Sequence, residues 1–156
     1  MVDTASIGAE FAQQPARRRV MALCAAATSD DLREALGSLA PASGPADLRP
    51  PETGLVMVQG RMGGDGAPFN IGEATVSRAA VRVGDHSGFA YHLGRDRERA
   101  RLAATLDALW QDEAHRAAVE AALAPVEARL AEEAGVRAAR TAATRVNFFT
   151  MVRGED

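Results

Sequence analysis

The stretch GLVMVQGRMGGDGAPFNIGEATVSRAAVRV, residues 54–83, decides the fold. Its apolar positions recur every second residue, the period of a strand whose side chains alternate between two faces. Val56, Val58 and Met62 alternate with Leu55, Met57, Gln59 and Arg61. GGDG, residues 63–66, then reads as a turn needing positive φ, which glycine supplies at no steric cost. Phe69 and Ile71 start the return strand on one face. By Ala74 and Val76 the apolar positions have changed parity, and by Ala79, Val81 and Val83 they have changed back. A strand changes parity only through an irregularity, so bulges are predicted near Gly72 and near Ser77 and Arg78. GDHSG is a second turn, and FAYHL places Phe89, Tyr91 and Leu93 together on one face. The expectation is an antiparallel meander of three long strands across residues 46–94, with a fourth at the edge.

On either side of the meander the period is helical. Residues 15–28 carry Val20, Leu23, Cys24 and Ala27 on one face. TSDDLREALGSL follows, with Thr28 or Ser29 as N-cap and Asp30 and Asp31 at the positive end of the helix dipole. Leu32, Leu36 and Leu39 form its stripe, and the two segments are expected to make a helical hairpin over residues 15–39. Residues 40–51 hold four of the seven prolines and read as a connector ending in a short edge strand. Beyond the sheet, Asp96 caps a third helix with Leu102, Leu106, Leu109 and Trp110 along its stripe. From Asp112 a long helical region runs to residue 145, expected to restart or kink at Pro125 and to weaken at Gly135. Its residues 134–143 are almost wholly Ala, Arg and Thr, a face that packs shallowly. The expected class is α+β in a single domain spanning residues 1–156: helical hairpin, antiparallel sheet, helices over residues 97–145, and an apolar tail at 146–156.

Composition narrows the function. The net charge is −3, which gives no electrostatic reason to expect nucleic acid as a partner. No apolar run reaches the length of a membrane span, and the N-terminus lacks the apolar core of a signal peptide, so a cytoplasmic location is expected. The one cysteine, Cys24, sits in an apolar run and reads as a small buried hydrophobe; it permits no intrachain disulfide. Lysine is absent, which excludes a P-loop lysine and a lysine Schiff base. His86, His92 and His115 lie in a turn, a strand and a helix start without zinc-helix spacing, so no metal is expected. His115 with Glu113 reads as a charge pair at a helix start. Ser87 lies outside any nucleophile elbow. Glu73 has no second carboxylate at readable spacing, and no catalytic residue is assigned. RMGGDG, residues 61–66, favours a hairpin turn over a phosphate loop. Arg61, Arg78 and Arg95 each sit near an irregularity of the sheet; convergence on one face would make an anion site. Pairing with carboxylates of a partner is the equal alternative.

The tail poses a separate question. RVNFFTMVRG, residues 145–154, gathers two of the five phenylalanines in a chain that is 4% aromatic. Terminal segments are ordinarily polar, and an apolar cluster there marks a contact surface. Phe148, Phe149 and Met151 are read as partner-binding anchors, with Arg153 at their polar rim.

ETGLVMVQGRMGG, GEATVSRAAVR, LGRDRERA and RVNFFTMVRG, in this order and spacing over residues 52–154, resemble the PhnG subunits of bacterial carbon–phosphorus lyase core complexes. Ser77 stands where that family more often has threonine, and Asn147 where it has an acid. The resemblance implies assembly with PhnI as closest partner and with PhnH and PhnJ, in phosphonate catabolism. The early step it implies displaces adenine from ATP by methylphosphonate, giving alpha-D-ribose 1-methylphosphonate 5-triphosphate. It implies catalysis in PhnI, and a radical subunit with an iron–sulfur cluster for C–P cleavage; a chain with one cysteine does not ligate that cluster alone. The expectation is therefore an assembly subunit that holds no cofactor of its own and is not catalytic alone. Two alternatives are a contributor of arginines to a composite active site shared with PhnI, and a freestanding anion-binding module. In isolation the tail is expected to be poorly ordered or to pack against a second copy, as in a homodimer.

Overall fold

The alternating stretch becomes two strands of 16 residues each in the computed structural model, which describes residues 4–39 and 44–145, with side chains from residue 14 onward. The elements run α1 (Thr4–Ala26), α2 (Ser29–Leu39), β1 (Ala46–Arg61), β2 (Pro68–Val83), β3 (His86–Leu93), α3 (Arg97–Gln111) and α4 (Glu113–Ala143). The class is α+β, with an antiparallel sheet in the order β1-β2-β3 between N-terminal and C-terminal helices.

Gly63 and Gly64 adopt φ of 65° and 92°, so the turn between β1 and β2 uses the left-handed region that the glycines were expected to supply. The bulge near Gly72 is present: pairing steps from Val58↔Gly72 to Gln59↔Asn70, leaving Ile71 as the extra residue. The second expected bulge, at Ser77 and Arg78, is absent from β2, which pairs without a shift from Val76↔Leu93 to Val83↔His86. The irregularities lie instead on β1, between Asp47 and Arg49 and between Arg49 and Glu52, where Pro50 and Pro51 interrupt the ladder. Proline is tolerated there because β1 is an edge strand. The apparent parity change between Val76 and Ala79 reflects apolar residues on both faces of β2, not a change of phase. Residues 46–51 of the expected connector, with the expected edge strand, merge into β1, so the sheet of the described residues has three strands.

Thr28 and Asp31 form a reciprocal cap at the start of α2: the Asp31 amide donates to Thr28 Oγ1 at 3.1 Å, and the Thr28 amide donates to Asp31 Oδ2 at 2.8 Å. α1 begins well before residue 15 and carries Pro15 in its interior. Asp96 accepts the Arg99 amide at 2.9 Å and caps α3 as expected. Asp112 both ends α3 and caps α4 by accepting the Ala114 amide at 3.0 Å. It also holds His115 Nδ1 at 2.7 Å, so the histidine pairs with Asp112 and not with Glu113. α4 is a single helix through Pro125 and Gly135; the expected restart does not occur.

α3 is the central element. One side lies on β2 and β3, and the others meet α1, α2 and α4. Leu106, Leu109, Trp110, Leu32, Val81, Val119 and Leu123 are buried together. Each such side chain contributes roughly 1.5–3 kcal/mol by leaving water. Trp110 donates from Nε1 to Glu120 Oε1 at 2.9 Å, and the Arg116 guanidinium stacks 4.9 Å from its ring centre. The helices thus cover one face of the sheet, beside Ser77, Ala79, Val81, Val83, Gly88, Ala90 and His92.

Candidate partner interface

β3 is half as long as β1 and β2 and pairs only with Val76–Val83. Residues 55–61 and 68–75 therefore continue past the third strand as a two-stranded arm. A lone hairpin is marginal in water, and this one is unusually apolar. Leu55, Met57, Met62, Phe69 and Ile71 are all exposed on it, Ile71 at 63% and Met62 at 77%. The Ile71 side chain reaches across Gly60, where an added Cβ would stand 2.5 Å from its Cδ1. At the other end of the sheet the face away from the helices presents Phe89, Tyr91 and Leu93, the last 76% exposed. Exposed apolar groups gathered in this way mark contact surfaces more often than free surface. The sequence pattern grouped Phe89, Tyr91 and Leu93 on one face. It did not reveal that this face lies opposite the helices.

Arg61 and Arg78 are kept apart. Arg61 pairs with Pro68 at the tip of the arm and donates to the Gly66 carbonyl at 3.0 Å. Arg78 pairs with Glu52 and forms an ion pair with it, Nε to Oε1 at 2.7 Å. That pairing, then contact with Tyr91, raises the Arg78 pKa further. Ten residues of β2 separate the two positions, roughly 33 Å of strand. Following the pairing from strand to strand, Arg61 falls on the face that also carries Gln59 and Met57, and Arg78 on the face that carries Tyr91. Arg95 follows β3, next to Gly94, whose amide donates to Thr75 O at 2.9 Å. RMGGDG joins two strands. Phe148, Phe149, Met151 and Arg153 lie outside the described residues.

The remaining chemistry-bearing residues are taken up in local structure. Ser77 is buried and donates to the Gly94 carbonyl at 3.0 Å. The carbonyl of Ser87 accepts from Gln111 Nε2 at 2.8 Å. Glu73 is exposed on the arm opposite Met57. His92 is buried, and desolvation, followed by the charge of Arg99, pushes its pKa down, so the imidazole is neutral near pH 7. Among the described residues no cluster of three or more His, Cys, Asp or Glu is placed to hold a metal ion, and no helix is long and apolar enough to cross a membrane. Burial pushes the Cys24 thiol up to about 12. Ellman's reagent is accordingly expected to label the native protein at least a hundredfold more slowly than the chain in guanidinium, because thiolate is the reactive form. Comparable rates in the two states would show that Cys24 is open to solvent.

One buried charged residue escaped the sequence reading. Asp107 stands inside the α3 stripe, 1% exposed. It accepts from Arg17 Nε at 2.8 Å and Nη2 at 2.7 Å, and its Oδ2 accepts the Phe89 amide at 2.9 Å. A carboxylate between Leu106 and Leu109 was the available signal: an acid in a buried stripe requires a partner.

Two comparisons bear on these surfaces. The pattern of the family described as Phosphonate metabolism protein PhnG matches residues 15–154. The chain is also 55% identical, over 141 residues covering 90% of each protein, to the Alpha-D-ribose 1-methylphosphonate 5-triphosphate synthase subunit PhnG of Rhizobium meliloti (strain 1021). With the family pattern matching all but the two ends of the chain and identity this high across nine-tenths of it, the protein belongs to the PhnG family of phosphonate metabolism proteins.

Proposed function

We propose that this chain is a cytoplasmic assembly subunit of a carbon–phosphorus lyase core complex. It supports formation of alpha-D-ribose 1-methylphosphonate 5-triphosphate from ATP and methylphosphonate, with PhnI as its nearest neighbour and PhnH and PhnJ in the same complex. The relative's name supports the reaction and the status of subunit. The observation that carries the reading is the apolar arm with the uncovered sheet face. Leu55, Met57, Met62, Phe69 and Ile71, with Phe89, Tyr91 and Leu93, leave large apolar side chains open on the arm and on that face, as a surface covered by a partner does. The chain's role is to supply contact area and hold its neighbours in register, and purified alone it turns over neither ATP nor phosphonate. The separation of Arg61 from Arg78, and the engagement of Arg78 with Glu52, weaken the composite-site reading.

Phe148, Phe149, Met151 and Arg153 extend this contact as a docking tail. Two buried phenylalanines contribute roughly 3–6 kcal/mol in transfer free energy, and about 1.4 kcal/mol is tenfold in affinity. Deleting residues 146–156 is expected to leave the circular dichroism spectrum and Tm within error and to abolish co-purification with PhnI. A truncated chain that unfolds would put the phenylalanines in its own core. One that stays folded and binds PhnI as tightly would remove the tail from the interface.

A further inference from the structure

α4 is anchored through its first half, as far as Arg129 and Leu130. Its buried residues are Val119, Leu123 and Val126, and every residue from 131 to 145 is exposed. Successive residues of a helix turn by 100°. On that wheel Arg140, Thr144, Arg137 and Thr141 fall within an arc of about 100°, and Arg145 follows the C-cap Thr144. Gly135, Val136, Ala138, Ala139, Ala142 and Ala143 take the other side. Arg137, Thr141, Thr144 and Arg145 border one open hollow on this segment.

Residues 134–145 carry three positive charges and no negative one, and the acid one turn before Arg137, Glu133, pairs with Arg129 at 3.1 Å. Without them the rest of this acidic chain stands at −6. Among the described residues no ion pair joins any of the three to a carboxylate, whereas Arg17 pairs with Asp107, Arg33 with Glu98, Arg101 with Asp47 and Arg129 with Asp31. The negative end of the helix dipole favours a cation in the last turn, and Arg140 meets that need. It does not account for Arg137 a turn earlier, or for the segregation of Arg137 and Arg140 to one side.

We infer that the projecting end of α4 is a cationic docking face for an acidic surface on a partner protein. The inference rests on the reading of this chain as an assembly subunit and adds a second contact beyond the apolar arm. The arginine forks suit bidentate pairing with carboxylates; Thr141 and Thr144 donate their hydroxyls to the carbonyls of Arg137 and Thr141. The alanine face lets the helix lie close against whatever flanks the acids. Charge of this kind acts on encounter rate and register and is sensitive to salt.

The test uses the full-length chain, R137E/R140E/R145E and R137Q/R140Q/R145Q, each titrated with the PhnI, PhnH and PhnJ subunits at 50 and 300 mM NaCl. Circular dichroism of each variant checks that α4 persists. Wild type should bind about tenfold more weakly at the higher salt. The Gln variant should lose about tenfold at low salt and the Glu variant about a hundredfold, both with a flattened salt response. Wild type and variants binding alike, with the same salt response, would overturn this inference and leave the assembly reading standing. Failure of wild type itself to bind would remove both. Competition by submillimolar inorganic tripolyphosphate that depends on the three arginines would assign the face to a phosphate ligand and overturn the protein partner.

Discussion

Gly88→Ala is expected to lower the melting temperature by about 10 °C or more, a loss of at least about 3 kcal/mol in a chain of this size. A Cβ at residue 88 would lie 1.9 Å from the carbonyl oxygen of Ala104 and 2.5 Å from the amide nitrogen of Ala108. Both are main-chain atoms of α3, so no side-chain rotation relieves the clash. Nor can α3 simply retreat, because α1, α2 and α4 press on its other sides. Overpacking costs about 1–3 kcal/mol where the surroundings yield and more where they do not. Gly72→Ala is the control: nothing lies within 4 Å of its added Cβ, and its Tm should shift by less than about 2 °C. Equal melting of wild type and Gly88→Ala would show that α3 does not lie this close to β3.

Asp107→Ala is expected to cost about 2–4 kcal/mol, measured by urea unfolding. The carboxylate joins α1, α3 and β3 through Arg17 and the Phe89 amide. Removing one member of a buried pair leaves the others without their partner. Arg17 is 36% exposed at its side chain and recovers some hydration, which keeps the loss below that of a fully buried pair. Asp107→Asn keeps an acceptor and should lose about half as much. The double variant Arg17→Met/Asp107→Leu should be more stable than Asp107→Ala, because apolar packing replaces the pair without leaving a charge stranded. A fully additive double-mutant cycle would show that the two side chains are not coupled.

The apolar period was enough to divide the chain into elements. Alternation from residue 54, glycines at 63 and 64, the break near Gly72 and the caps at Thr28 and Asp96 are all local, set by backbone sterics and hydrogen bonds within a few residues. The long motifs were likewise enough to place the chain in its family. Phasing failed where two strands meet. Val76 and Ser77 are both buried, so parity along β2 looked broken, and the shift belongs to β1 at Pro50 and Pro51. Period alone cannot say which strand of a pair carries the extra residue, because the ladder is a property of both.

The sequence by itself determined the α+β order of elements, the turn glycines, the caps, the buried state of Cys24 and the family. Tertiary structure alone decided which side of the sheet the helices cover, and hence that Phe89, Tyr91 and Leu93 face outward while Ala79, Val81 and Ala90 face α3. It also decided that Arg78 meets Glu52 across 26 residues and that Arg17 reaches Asp107 across 90. Both faces of this sheet are apolar, so alternation does not distinguish the core face from the contact face. Only the close approach of α3 over Gly88, which a side chain there would forbid, selects one of them.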